Sequence, residues 1–194
     1  RGAFARVWPG LLLSCFLLLT VILPAVPAMA EPIAWLAPSL TRVRPSDAAG
    51  TGTQMTVSAA KGESESFQII VRGNGGSLAN VNVTAPALGS AQVTLYREHY
   101  VYLASGSGDW ASNRNKPQGP GYYPDALIPF VNPSTGADLT GTYDAVPFSV
   151  AANQNQPIWV DITVPRTMAA GDYPGVFTIT SAQGNATVSV ILHV

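Results

Sequence analysis

Glu63 and Glu65, two residues apart, are the only closely spaced carboxylates in the chain. Glycoside hydrolysis works with two carboxyl groups, so a pair of this kind is where such chemistry would be sought. Both stand at the head of an alternating run and share its face. A solvated strand end is the reading they carry, and no catalytic role is assigned to them. His99 and His193 are far apart in sequence, and neither has a second histidine or a carboxylate at ligand spacing. No metal site and no cofactor are therefore expected. Gly73-Asn74-Gly75 follows a strand-like run, but a dinucleotide fingerprint would need its third glycine at position 78, which is Leu78. Ser105-Gly106-Ser107-Gly108 lacks the G-x-S-x-G order of a nucleophile elbow.

Two other features carry more weight. In the run 91–103, Val93, Leu95, Val101 and Leu103 share a face with Arg97 and His99, while Tyr96, Glu98, Tyr100 and Tyr102 take the other. Burying Arg and His among aliphatics is costly unless they are paired. Either a bulge shifts the register in mid-strand, or that face meets something polar. The stretch 104–124 reads as a long loop rich in Gly, Ser and Asn, and it carries Trp110, Tyr122 and Tyr123 just ahead of Asp125. Loops of about 20 residues are uncommon in compact domains and are usually functional or disordered. Arg97, His99, Trp110, Tyr122, Tyr123 and Asp125 are thus the candidates for contact with a partner domain or a glycan. In the absence of its partner, the loop is expected to be poorly packed, with Trp110 exposed.

These residues sit on a chain that reads as strands throughout. Phe67, Ile69 and Val71 alternate with polar neighbours, as do Val81 and Val83. Ile158, Val160, Ile162 and Val164 form another such series, followed by Phe177 and Ile179, then Val188, Val190 and Leu192. Period two with β-branched residues marks half-buried strands. With 54–60, 91–103, 126–131 and 145–150 the count is eight or nine. No window repeats apolar residues at helical spacing. Gly 18 and Pro 16 suit short strands joined by turns, and Gln183-Gly184-Asn185 suits a tight hairpin. The fold class expected is all-β: an antiparallel two-sheet sandwich, immunoglobulin-like, in one domain over 31–194. Tyr173, after Gly171-Asp172, is placed to close a corner by a hydrogen bond from its hydroxyl to upstream backbone. The ring of Trp159 is expected against the Ala170–Gly175 turn or at an interface.

The first thirty residues differ in kind. Arg1 and Arg6 precede an apolar run from Leu11 to Leu23, and Ala28-Met29-Ala30 closes the segment. This is the pattern of a secretory signal peptide cleaved after Ala30. The 13-residue run is shorter than the roughly 20 residues that span a bilayer, so no stable membrane span is expected. Secretion, to the periplasm, cell envelope or beyond, is the expected location. Without Arg1 and Arg6, 8 basic and 11 acidic residues remain. Such a balance gives no pull toward nucleic acid. The single cysteine, Cys15, excludes an intrachain disulfide.

Several segments together carry a resemblance. Glu65-Ser66-Phe67-Gln68-Ile69-Ile70-Val71, Tyr96-Arg97-Glu98-His99-Tyr100-Val101 and Tyr123-Pro124-Asp125-Ala126-Leu127-Ile128-Pro129 resemble the amino-terminal domain of glycoside hydrolase family 123 and its relatives. Trp159-Val160-Asp161-Ile162-Thr163-Val164-Pro165 and Ala170-Gly171-Asp172-Tyr173-Pro174-Gly175 extend it in the same order. The resemblance implies a non-catalytic sandwich ahead of a catalytic (β/α)8 barrel in a longer chain. It further implies removal of β-linked N-acetylgalactosamine by a substrate-assisted mechanism, with an adjacent Asp-Glu pair on the barrel. No Asp-Glu dipeptide occurs in these 194 residues, so no catalytic residue carries over. A free-standing carbohydrate-binding or adhesion module is the alternative reading.

Overall fold

A computed structural model of the chain describes residues 2, 30–105, 119–139, 141 and 144–194. Ten strands form two five-stranded sheets, and no helix occurs among the described residues. The strands are β1 (Glu31–Pro38), β2 (Gln54–Ser58), β3 (Ser64–Asn74), β4 (Leu78–Thr84) and β5 (Gln92–Leu103), then β6 (Gly121–Pro129), β7 (Phe148–Val150), β8 (Asn155–Thr163), β9 (Asp172–Ser181) and β10 (Gly184–His193). One sheet runs β1-β3-β8-β5-β6, the other β2-β10-β9-β4-β7. The expected two-sheet sandwich is present. All the strand pairs are antiparallel except one, since β2 lies parallel to β10 at the edge of the second sheet.

The alternation seen in the sequence sets the core. Phe67, Ile69 and Val71 of β3 and Ile158, Val160 and Ile162 of β8 face Phe177 and Ile179 of β9 and Val188, Val190 and Leu192 of β10. Phe67 and Phe177 meet edge-to-face between the sheets, centroids 5.7 Å apart and planes at 82°. Such a pair contributes about 0.5–1.5 kcal/mol beyond the area it buries. The β9–β10 hairpin turns through Ala182 and Gln183. Tyr173 closes the expected corner: its hydroxyl donates to the Ala169 carbonyl at 2.8 Å.

Three local expectations are corrected. The strand β1 has no counterpart in the sequence reading, because it is covered on both sides and so does not alternate: Leu36 enters the main core while Trp35 and Ala37 enter a second, smaller one. The loop expected over 104–124 is shorter at its far end, since Gly121–Pro124 already belong to β6 and pair with Tyr100–Leu103. Trp159 does not lie against the Ala170–Gly175 turn. It stands beside Gln68 and Tyr96 on the outer face of the first sheet.

Candidate functional site: the outer face of the first sheet

The run Gln68-Ile69-Ile70-Val71 is buried on both sides of its strand. Ile69 and Val71 point into the sandwich, so Gln68 and Ile70 need a second cover. Residues 38–47 supply it by folding back over the sheet after β1. Val43 joins Trp35, Ala37 and Ile70 in the smaller core. Four polar side chains hold this strap by its carbonyls; one of them, Arg72, donates from its guanidinium to Asp47 O at 3.2 Å. Gln68 Nε2 donates to Pro38 O, Ser39 O and Thr41 O at 3.1, 3.1 and 2.7 Å. The Tyr100 hydroxyl donates to Val43 O at 3.0 Å. Asn155 Nδ2 donates to Arg44 O and Asp47 O, both at 3.0 Å. A backbone run without its own ladder is thereby satisfied by side chains.

Between the strap and β6 the outer face opens into a cleft of about 360 Å³. Gln68, Glu98 and Trp159 line its floor, with Arg42, Asp125 and Leu127 among its walls. Trp159 is fixed by its indole N–H, which donates to Asp161 Oδ1 at 2.6 Å; the Ser66 hydroxyl donates to the same oxygen. Glu98 is 6% exposed, and burial pushes its carboxyl up to about 7. Gln68 is 2% exposed. Gln68 Oε1 and Glu98 Oε1 are buried with no hydrogen-bond partner among the described residues. Buried acceptors left unmade cost about 1–3 kcal/mol each.

The predicted contact residues divide. A bulge does interrupt β5–β6: His99 pairs with Ala126 and Tyr100 with Pro124, leaving Asp125 unpaired. Asp125 reaches the cleft wall by this means. Arg97 is half-buried with its guanidinium 5.8 Å from the Phe148 ring centroid, and burial lowers its pKa. His99 is exposed. Tyr123 is not free for a ligand: it is buried, its hydroxyl donates to Gly119 O, and Arg42 and Arg44 lie 5.5 and 4.9 Å from its ring centroid. Gly121 is required beside it, for its φ is +140° and a Cβ there would fall on the Arg44 guanidinium, which donates to Pro120 O. Tyr122 is 52% exposed and packs on Tyr102 with centroids 5.1 Å apart. Trp110 lies outside the described residues.

The glutamates form no catalytic pair. Glu63 Oε2 accepts the Ala60 N–H at 2.8 Å, a turn contact ahead of β3, and Glu65 is half-buried in register with Ile162. His193 does meet a carboxylate, with Nδ1 2.5 Å from Asp172 Oδ1 across the β9–β10 ladder. The two are distant in sequence and register partners in space. No cluster of three metal-ligating side chains occurs among the described residues, and they contain no helix long and apolar enough to cross a membrane. Gln68, Glu98 and Trp159 were not singled out as a site by sequence. The available signal was a Gln inside an unbroken apolar run, which marks a strand covered on both faces and hence a buried amide.

Comparison with known proteins bears on the whole domain. The model of the Glycoside hydrolase 123 N-terminal domain matches residues 40–181. Among solved structures, a family 123 glycoside hydrolase from Clostridium perfringens, studied for glycolipid glycan hydrolysis, superposes with a TM-score of 0.57 at 14% identity. The match covers 84% of this chain and 27% of that one, so the chain spans about a quarter of that enzyme's length. Weaker likenesses include domains 4 and 5 of the S-layer protein SbsC (TM-score 0.29, 17% identity, 84% of this chain and 48% of that one). Another is BcpA, the major pilin subunit of Bacillus cereus (TM-score 0.29, 9% identity, 84% and 40%). The comparison with curated proteins gives no match. With the family model covering most of the sandwich and a family 123 enzyme sharing its fold, the chain belongs to the Glycoside hydrolase 123 N-terminal domain family.

Proposed function

We propose that this chain is the non-catalytic amino-terminal sandwich of a secreted glycoside hydrolase, and that it seats the catalytic barrel or extends its substrate cleft. The observation that carries this reading is the family match over 40–181, together with the 27% of the family 123 enzyme that the sandwich accounts for. The site geometry agrees, for Glu63 is tied to a turn and neither Glu63 nor Glu65 lines the outer-face cleft. Exposed Tyr102, Tyr122 and His99 at the far end of β5–β6 suit a polar contact between domains, which typically buries about 600–1,500 Å².

The test has two arms. Downstream coding sequence should encode a barrel of roughly 250 residues with an adjacent Asp-Glu pair; a stop codon or a further sandwich there would overturn the reading. The present chain alone should release no product from aryl N-acetylgalactosaminides, and turnover abolished by Glu65→Gln would contradict it. Export is part of the proposal: amino-terminal sequencing of secreted protein should begin at Glu31, whereas residues 1–30 kept in a membrane fraction would indicate an anchor.

A further inference from the structure

Past Pro38 the strap joins no ladder. Apart from the Asn155 N–H, which donates to Pro45 O at 2.8 Å, side chains hold it to the sheet. It can therefore part from the sheet without breaking a strand pair. Ser39 to Arg42 line the same cleft as Glu98, and Val43 O accepts from Tyr100, two positions from Glu98 on the same strand face. Glu98 is 6% exposed, one of its oxygens has no partner, and it forms no ion pair among the described residues. The cations of the strap and the neighbouring strands are engaged elsewhere. Arg42 and Arg44 lie against the Tyr123 ring, Arg72 donates to Asn155 Oδ1 and Asp47 O, and Arg97 lies near the Phe148 ring. The acids, Asp47 on the strap, Asp125 on β6 and Asp161 on β8, have the sign that opposes its ionisation. Tyr96 and Tyr100 keep their protons, since burial first and neighbouring carboxylates second raise both hydroxyls.

We propose that Glu98 is a pH-sensitive latch for this strap: protonated, it leaves the strap closed on the outer face, and ionised, it drives the strap to open so that water reaches the carboxylate. A carboxylate without a counter-ion is costly in a dry site and a neutral carboxyl is far less so. Charging Glu98 therefore raises the closed form and spares the open one. The strap is the part that yields, because β5 is fixed in ladders with β8 on one side and β6 on the other. Burial also sets the sign. With the strap closed the carboxyl is pushed up to about 7, and with it open the carboxyl returns toward the ordinary 4.5. Below 4.5 both forms are neutral and the strap is tightest. As pH rises from 4.5 to 7 the open form alone ionises, and opening becomes more favourable by on the order of a hundredfold before levelling off. Asp47 would act in the opposite sense, since its carboxylate accepts the Arg44 N–H at 2.7 Å and acid would weaken that bond. The latch is independent of whether a barrel follows the sandwich.

The experiment is amide hydrogen exchange on the ¹⁵N-labelled full chain at several pH values spanning 4.5 to 7, corrected for the intrinsic pH dependence of exchange. The reporters are the Asn155 backbone amide and the Gln68 side-chain amide, whose acceptors are strap carbonyls. Core amides of β9 and β10 report unfolding of the whole domain. Protection of the reporters should be lower than that of the core at every pH, and should fall on the order of a hundredfold across the window. In Glu98→Gln, which cannot ionise, it should stay flat; Glu98→Leu serves if that variant fails to fold. Reporters as strongly protected as the core would mean that the strap opens only with the whole domain, and would overturn the proposal. So would protection that is independent of pH in the wild type, or that rises with pH, which would give the control to Asp47. A fall that persists in the Glu98 variant would belong to another group and overturn it equally.

Discussion

Arg72 and Asn155 face each other across the β3–β8 ladder, and the Arg72 guanidinium donates to Asn155 Oδ1 at 2.8 Å. That contact orients the Asn155 amide so that its nitrogen reaches Arg44 O and Asp47 O, both at 3.0 Å. Asn155, itself 2% exposed, shares the far half of the strap with Arg72, which donates to Asp47 O at 3.2 Å, and with Tyr100, which holds Val43 O. Asn155→Ala should cost about 1–3 kcal/mol by leaving buried partners unmade, with a Tm lower by about 2–4 °C per kcal/mol. Amide exchange should quicken in 43–47 and stay unchanged in β9 and β10. Equal acceleration everywhere would mean that the strap is no separate unit.

The Tyr173 corner predicts a smaller effect. Its hydroxyl makes one hydrogen bond, to Ala169 O, at the rim of the sandwich. Tyr173→Phe keeps the ring and removes that bond, so urea unfolding should show a loss of about 0.5–1.5 kcal/mol with an unchanged m value. A loss near zero would mean that water replaces the bond at no cost.

Glu98 predicts a pH dependence of definite sign. Its folded pKa, about 7, lies above the ordinary value of 4.5 because burial disfavours the charge. As pH rises through 4.5 the unfolded chain ionises at this residue while the folded one stays neutral. Stability should therefore fall between pH 4.5 and 7 and level off above, by at most about 3 kcal/mol. Other carboxylates are common to wild type and Glu98→Gln, so the difference between their urea-unfolding profiles isolates this contribution. A difference that is flat across the window would refute the assignment.

In the core, Phe177→Ala removes one half of the ring pair that joins the sheets. Phe177 is fully buried, and such truncations cost about 3–5 kcal/mol. The variant should be largely unfolded at 37 °C by near-UV circular dichroism, whereas Phe177→Leu should remain folded. A cooperative, barely shifted melt for the alanine variant would show that the sheets close without this contact.

Strands covered on one face were legible from alternation. Ile158, Val160 and Ile162 are fully buried in the register the sequence implied. Strand β1 was hidden because Trp35 and Leu36 are neighbours buried on opposite sides, which erases the period of two. The break at Arg97 and His99 announced a bulge, yet which residue would be left over was decided by β6, where the spare one is Asp125. The cleft was the least legible part. Its floor comes from three strands, and its lid is a strap whose carbonyls bond to Gln68 from about thirty positions upstream. Nothing local in 38–47 announces that it will fold onto a sheet.

The parallel seating of β2 on β10 carries a consequence for the chain as it is made. Gln54 lies opposite Ser189, about 135 residues further on, and among the described residues β10 is the only strand beside β2 in its sheet. At roughly 5–20 residues per second, a ribosome needs on the order of ten seconds to supply that partner. Throughout this interval Gln54–Ser58 has an unmatched backbone edge, while β1 and β3 already have each other. The β9–β10 hairpin, closing in microseconds once synthesised, then acts as the template on which β2 docks. Nascent sandwiches should consequently be recognised by holdase chaperones through the β2 segment, and should lose that recognition abruptly when β10 emerges.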